Sequence, residues 1–126
     1  MEKKDSFFWG DMERPSAHGK VQGLCGDTME FFLKLDGVKI TEVKCSSTGC
    51  GASAMCAIET AKIVYEKNLG EALCISPGDV IRKIRNIPDD HLHCSILAVS
   101  TLYRAIADYL ISGKPDLGVR GERGLP

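Results

Sequence analysis

No two of the six cysteines in this 126-residue chain form a Cys-x-x-Cys pair, which argues against a zinc ribbon and against a thioredoxin-like redox site. No run approaches the roughly 18 consecutive apolar residues of a membrane-spanning helix. The amino terminus, Met1-Glu2-Lys3-Lys4-Asp5, lacks a signal peptide's apolar region, so the expected location is cytoplasmic, with no membrane partner. Basic excess is missing too. The net charge is −1 and no Lys/Arg cluster compensates locally, so nucleic acid is not an expected partner. There is no internal repeat and no sign of a second core. The chain reads as one domain, of a size that buries roughly two-thirds of its unfolded surface without needing a metal to fold.

What is present fits a globular protein: 44% hydrophobic and 26% charged residues. Residues 6–24 open on Phe7-Phe8-Trp9 and continue without sustained periodicity, which reads as a short docking segment followed by loop. Thr28–Leu35 and Val38–Cys45 flank Asp36-Gly37 as a hairpin. A helix follows Gly49-Cys50-Gly51 and is expected to end near Asn68-Leu69-Gly70. Ser76-Pro77-Gly78-Asp79 opens a short helix through Ile84, with Asn86-Ile87-Pro88 marking its end. The strongest periodicity joins Leu92, Ile96, Val99, Tyr103, Ile106 and Leu110 in a helix that Asp89 or Asp90 can cap and Gly113 can end. The expected organisation is a flexible or docking segment at 1–20, one domain at 21–112 and a mobile tail at 113–126.

Three cysteines stand in small cradles: Cys25-Gly26-Asp27, Gly49-Cys50-Gly51-Ala52-Ser53 and His93-Cys94-Ser95. Glycine adds no side chain, so a metal or partner can approach closely. Cys50 and Cys94 fall at predicted helix starts, where unpaired N–H groups and the positive dipole end favour thiolate. The intervals of 24 and 43 residues between them require a folded scaffold to gather the ligands. Cys45, Cys56 and Cys74 lack such cradles and read as small buried residues, with Cys56 the closest to a secondary thiol. His18 and His91 read as solvent-exposed. Asp27 is either a turn acid or a ligand, and His93 either a helix-start residue or a ligand. His93 and Cys94 can share one metal only where the helix is just beginning, because adjacent helical residues point about 100° apart.

In these motifs, together with Leu97-Ala98 and the Ala105-x-x-Asp108-Tyr109 helix, the chain resembles the IscU/NifU amino-terminal family of iron-sulfur cluster scaffolds from about Trp9 to Leu110. The resemblance implies a small α/β fold of the α+β type, an antiparallel sheet covered by helices with the metal site exposed at one end. It implies Cys25, Cys50 and Cys94 as thiolate ligands of a transient [2Fe-2S] cluster, with Asp27 or His93 as the fourth group. Zinc could occupy the same site. It further implies a non-enzymatic scaffold that receives sulfur from a cysteine desulfurase, through the counterpart of Cys94, and passes the cluster to apo-proteins, with a homo-oligomer among the expected assemblies. The alternative is a zinc-binding sulfur acceptor that activates a desulfurase without building a cluster. Where IscU-branch relatives carry Leu-Pro-Pro-Val-Lys for a chaperone, this chain has Ile87-Pro88-Asp89-Asp90-His91, and its 43-residue interval leaves no room for the insertion of the SufU branch.

Overall fold

A computed structural model describes residues 6–23, 26–49, 51–84 and 92–111. Its strands are β1 (Ala17–Gln22), β2 (Thr28–Asp36) and β3 (Lys39–Ser47); its helices are α1 (Gly51–Val64), α2 (Leu69–Ala72), α3 (Pro77–Lys83) and α4 (His93–Ile111). The strands pair antiparallel in the order β1-β2-β3. Met29, Phe31 and Leu33 alternate toward the helices and are fully buried, the period-2 pattern of a sheet with one covered face. The hairpin is where the sequence predicts it, with Gly37 at φ +66°, a conformation that favours glycine.

Strand β1 corrects the reading of residues 6–24 as docking segment and loop. It begins at Ala17, ahead of the domain edge expected at 21, and pairs with β2 from Ala17↔Leu33 to Gln22↔Thr28. The Phe7-Phe8-Trp9 cluster folds back on its own core. Cys45 N–H donates to Phe8 O (2.7 Å) and Gly10 N–H to Cys45 O (2.9 Å), and Phe8 is buried while Phe7 is half exposed. Phe7, Phe8 and Tyr65 meet edge-to-face at centroid separations of 5.0 to 5.5 Å.

Helix α1 ends at Val64, earlier than expected. Glu66 takes φ +67°, and Asn68 starts the next helix instead of ending this one: its side chain accepts from Glu71 N–H while Glu71 reaches back to Asn68 N–H. Ser76 and Asp79 make the same reciprocal cap at α3, as the sequence indicates. Ile84 already has extended geometry. Asn86-Ile87-Pro88, the caps at Asp89, Asp90 and Gly113, and the Ile87–His91 motif lie outside the described residues, as does the 113–126 tail.

Helix α4 is the spine of the fold. Its length and hydropathy would suffice to cross a membrane, but 56% of that stretch is buried, as in the core helix of a globular domain. It presses directly on β1. A Cβ at Gly19 would sit 2.5 Å from Ala105 N and 2.6 Å from Thr101 O, so only glycine lets strand and helix backbones approach this closely. Tyr109 O–H donates to Gly37 O (2.7 Å), tying the far end of α4 to the hairpin.

Candidate metal centre

Three segments meet at the sheet end opposite the hairpin. The first is the β1–β2 turn, where Gly23 N–H donates to Asp27 O (2.7 Å) and Gly26 N–H to Gly23 O (3.0 Å). Gly26 has φ +89°, and Gln22 Nε2 donates to Gly26 O (3.3 Å). Cys25 belongs to this turn in sequence and lies outside the described residues, as does Cys50.

The second segment is the end of β3. Thr28 N–H donates to Thr48 Oγ1 (3.0 Å) and Thr48 N–H to Thr28 O (2.9 Å). Gly49 N–H donates to Ser47 Oγ (3.0 Å), which pairs with the buried Ser53 hydroxyl (2.7 Å). This ladder sets Gly49 under the half-buried Asp27. A Cβ there would lie 2.1 Å from Asp27 Oδ2, so the absence of a side chain at Gly49 lets the carboxylate rest against the backbone just before Cys50.

The third segment is the first turn of α4, which leans on the β1–β2 turn. A Cβ at Gly23 would lie 2.9 Å from Leu97 Cδ2. His93 is the first residue of α4, and its Nε2 is 4.0 Å from Cys94 Sγ. Both residues thus stand in the first turn of the helix. Cys94 is 1% exposed, on the α4 face that carries Ala98, Thr101 and Ala105 into the core, whereas Asp27 and His93 are half-buried.

Among the described residues no group of three or more His, Cys, Asp or Glu side chains comes together in ligating geometry. Of the five candidate ligands, the described residues place His93 beside Cys94, and Asp27 on the neighbouring turn. The Cys94 thiol, the His93 imidazole and the Asp27 carboxylate are respectively soft, borderline and hard donor types.

The remaining cysteines divide. Cys45 is fully buried, its Sγ–H donating to Phe8 O (3.3 Å), and burial pushes its thiol up to about 12, with Lys44 pulling weakly the other way. Cys56 is buried as expected, but Cys74 is exposed, because it lies in the short link between α2 and α3. His18 is not a free surface residue: it is half-buried, stacks on Phe32 (4.8 Å) and pairs with Glu30 (2.8 Å).

The sequence reading missed a groove of about 200 Å³ beside the site, lined by Val21, Gly23, His93, Ile96 and Leu97 among others. It was missed because β1 was missed. The alternation of Ala17, Gly19, Val21 and Gly23 with His18, Lys20 and Gln22 was the available signal.

A family model described as the NifU-like N-terminal domain matches residues 9–115. The chain belongs to this family. As a NifU-like domain it is 33% identical over 101 residues to "Iron-sulfur cluster assembly scaffold protein IscU 1" of Archaeoglobus fulgidus, covering 79% of this chain and 66% of that protein. It is 38% identical over 87 residues to the mitochondrial "Iron sulfur cluster assembly protein 1" of Yarrowia lipolytica, covering 68% of this chain and 47% of the relative. The domain thus spans less than two-thirds of the length of these relatives. Its fold matches the crystal structure of a NifU-like N-terminal protein from Brucella abortus, with a TM-score of 0.63 at 16% identity over 87% of this chain and 94% of the other. It also matches a putative SUF-system cluster assembly scaffold protein from Fervidobacterium islandicum, with a TM-score of 0.64 at 23% identity over 79% and 86% of the two chains. These likenesses bear out the α+β fold.

Proposed function

We propose that this NifU-like domain is a scaffold on which an iron-sulfur cluster is built and then given up, with the cluster as cargo and not as a resident cofactor. The observation that carries the reading is the convergence of the Gly23–Asp27 turn, Gly49 and the His93–Cys94 helix start at one sheet end. Cys25, Cys50 and Cys94 are its thiolate ligands. Asp27 or His93 supplies the fourth donor. The cluster is of the [2Fe-2S] type, its sulfur comes from a cysteine desulfurase, apo-proteins receive it, and the work is cytoplasmic and non-enzymatic.

Asp27 gives the reading a mechanism. A carboxylate is a harder ligand than thiolate, so three thiolates and one carboxylate hold a cluster less firmly than four cysteines do. The close seat of Asp27 on Gly49 lets the carboxylate approach the Cys50 segment without a side chain between them.

Anaerobic incubation with ferrous iron, L-cysteine, a cysteine desulfurase and dithiothreitol as reductant tests the proposal. Visible charge-transfer absorption should appear, and should move to an apo-ferredoxin when one is added. Colourless protein retaining stoichiometric zinc while stimulating the desulfurase would instead establish the zinc-binding sulfur acceptor.

A further inference from the structure

Strand β1 is an edge of the sheet, and its outward amides are unevenly covered. Gly23 N–H faces β2, donating to Asp27 O; by antiparallel alternation Gly19 and Val21 face β2 as well, in the register Gly19↔Phe31 and Val21↔Met29. The backbone groups of His18, Lys20 and Gln22 therefore point away from the sheet. His18 N–H is met by Asp108 Oδ2 from α4 (3.3 Å). Among the described residues no such cap stands over Lys20 or Gln22, and β2 is the one strand that pairs with β1.

Beside this open edge runs a groove walled by α4. Its upper part lies between Val21 and the half-exposed Ile96, near His93. Its middle, between Lys20 and Arg104, continues past Tyr103. Its lower part reaches Asp108 and the exposed Ile111. Lys20 and Arg104 are exposed and make no ion pair among the described residues. An edge with free N–H and C=O groups is a template for another strand, and a lined groove beside it supplies side-chain selectivity.

We infer that an extended acidic segment of another protein adds to β1 as a fourth strand, pairing with the Lys20 and Gln22 backbone. Its carboxylates face Lys20 and Arg104, and an aliphatic side chain seats against Val21 and Ile96 beside the metal centre. Charge selects this occupant over two others. A second copy pairing antiparallel through the same edge would bring Lys20 and Arg104 of one copy toward those of the other. The chain's own residues 112–126 carry Lys114, Arg120 and Arg123 against Asp116 and Glu122, so they are not acidic. The segment's seat reaches Gly23 and His93, so a partner docks directly beside the site.

The test uses the 126-residue apo chain and a fluorescein-labelled, acetylated peptide, Thr-Glu-Val-Glu-Ile-Thr-Glu-Val, read by anisotropy and by amide hydrogen exchange. Binding should slow exchange at Lys20 and Gln22, weaken with salt, and disappear when every Glu of the peptide is replaced by Lys. Lys20→Glu with Arg104→Glu should lower affinity by about tenfold or more while leaving reconstituted cluster absorption unchanged, so the result is separable from the scaffold reading. No binding at millimolar peptide, or binding without protection at Lys20 and Gln22, overturns the inference. So does protection that appears without peptide: rising with protein concentration, it identifies a second copy; lost on truncation after Ile111, it identifies the chain's own tail.

Discussion

At the hairpin end of the sheet, neighbouring elements are joined by backbone and capping hydrogen bonds. Ile40 N–H donates to Lys67 O (2.8 Å), Leu69 N–H to Val38 O (2.8 Å) and Glu66 N–H to Ile40 O (3.0 Å), with Tyr109 closing on Gly37. At the metal-centre end the elements approach through missing side chains: Gly23 under Leu97 and Gly49 under Asp27. The first arrangement uses up donors and acceptors on the protein itself. The second sets the His93 imidazole beside the Cys94 thiol and rests the Asp27 carboxylate on Gly49 of a neighbouring segment. Two buried cysteines repeat the contrast. Cys45 is packed under Phe8 with its proton held by burial, whereas Cys94 lies beside an imidazole at a helix start.

The largest effect expected separates those two cysteines. Cys94→Ser should abolish the charge-transfer absorption after reconstitution, whereas Cys45→Ala should keep the colour and lose roughly 1–2 kcal/mol of stability in urea melts. Loss of colour in both would end the distinction between the regions.

Next comes the clamp that both ends depend on. Gly19→Ala forces a methyl into the α4 backbone and should cost about 3 kcal/mol, at the upper end of overpacking effects, as a lowered urea midpoint. A cost below about 0.5 kcal/mol would show that α4 can ride away from β1. Tyr109→Phe leaves Gly37 O without its donor and should cost about 1 kcal/mol, with no change in cluster transfer.

Asp27→Ala should slow cluster transfer to an apo-ferredoxin several-fold with little effect on folding. Gly49→Ala, which displaces Asp27, should do the same. Unchanged transfer in both variants would remove Asp27 from the release step. The last effect is silent at neutral pH. The folded Cys45 thiol is raised from 9.0 to about 12, so the folded state keeps a proton that the unfolded chain releases. Its contribution is complete below pH 9 and declines as pH rises toward 12, by about 1.4 kcal/mol per unit at most. The Cys45→Ala chain should show a shallower loss over that window.

Much of the fold was legible because local chemistry decides it. The Asp36-Gly37 turn, the Ser76 cap and the apolar period of α4 each have a short-range cause. Asn68 was misread because a residue that ends one helix and one that begins the next look alike in sequence; the reciprocal bond from Glu71 decides it. β1 was misread because His18, Lys20 and Gln22 dilute its hydrophobicity, and its inward face relies on small residues whose value appears only when α4 lies on them. Cys74 became exposed through the path of a connection, which no property of cysteine foretells.

By itself the sequence determined the cradled cysteines, the helix starts beside Cys50 and Cys94 and the acid two residues after Cys25, because residue type and local spacing carry that information. Tertiary structure alone decided that Asp27 lies on Gly49, that Cys94 turns into the core while its imidazole neighbour remains half-buried, and that β1 is an edge strand of the sheet among the described residues. Those outcomes depend on contacts between residues far apart in the chain, where close packing settles what local preference leaves free.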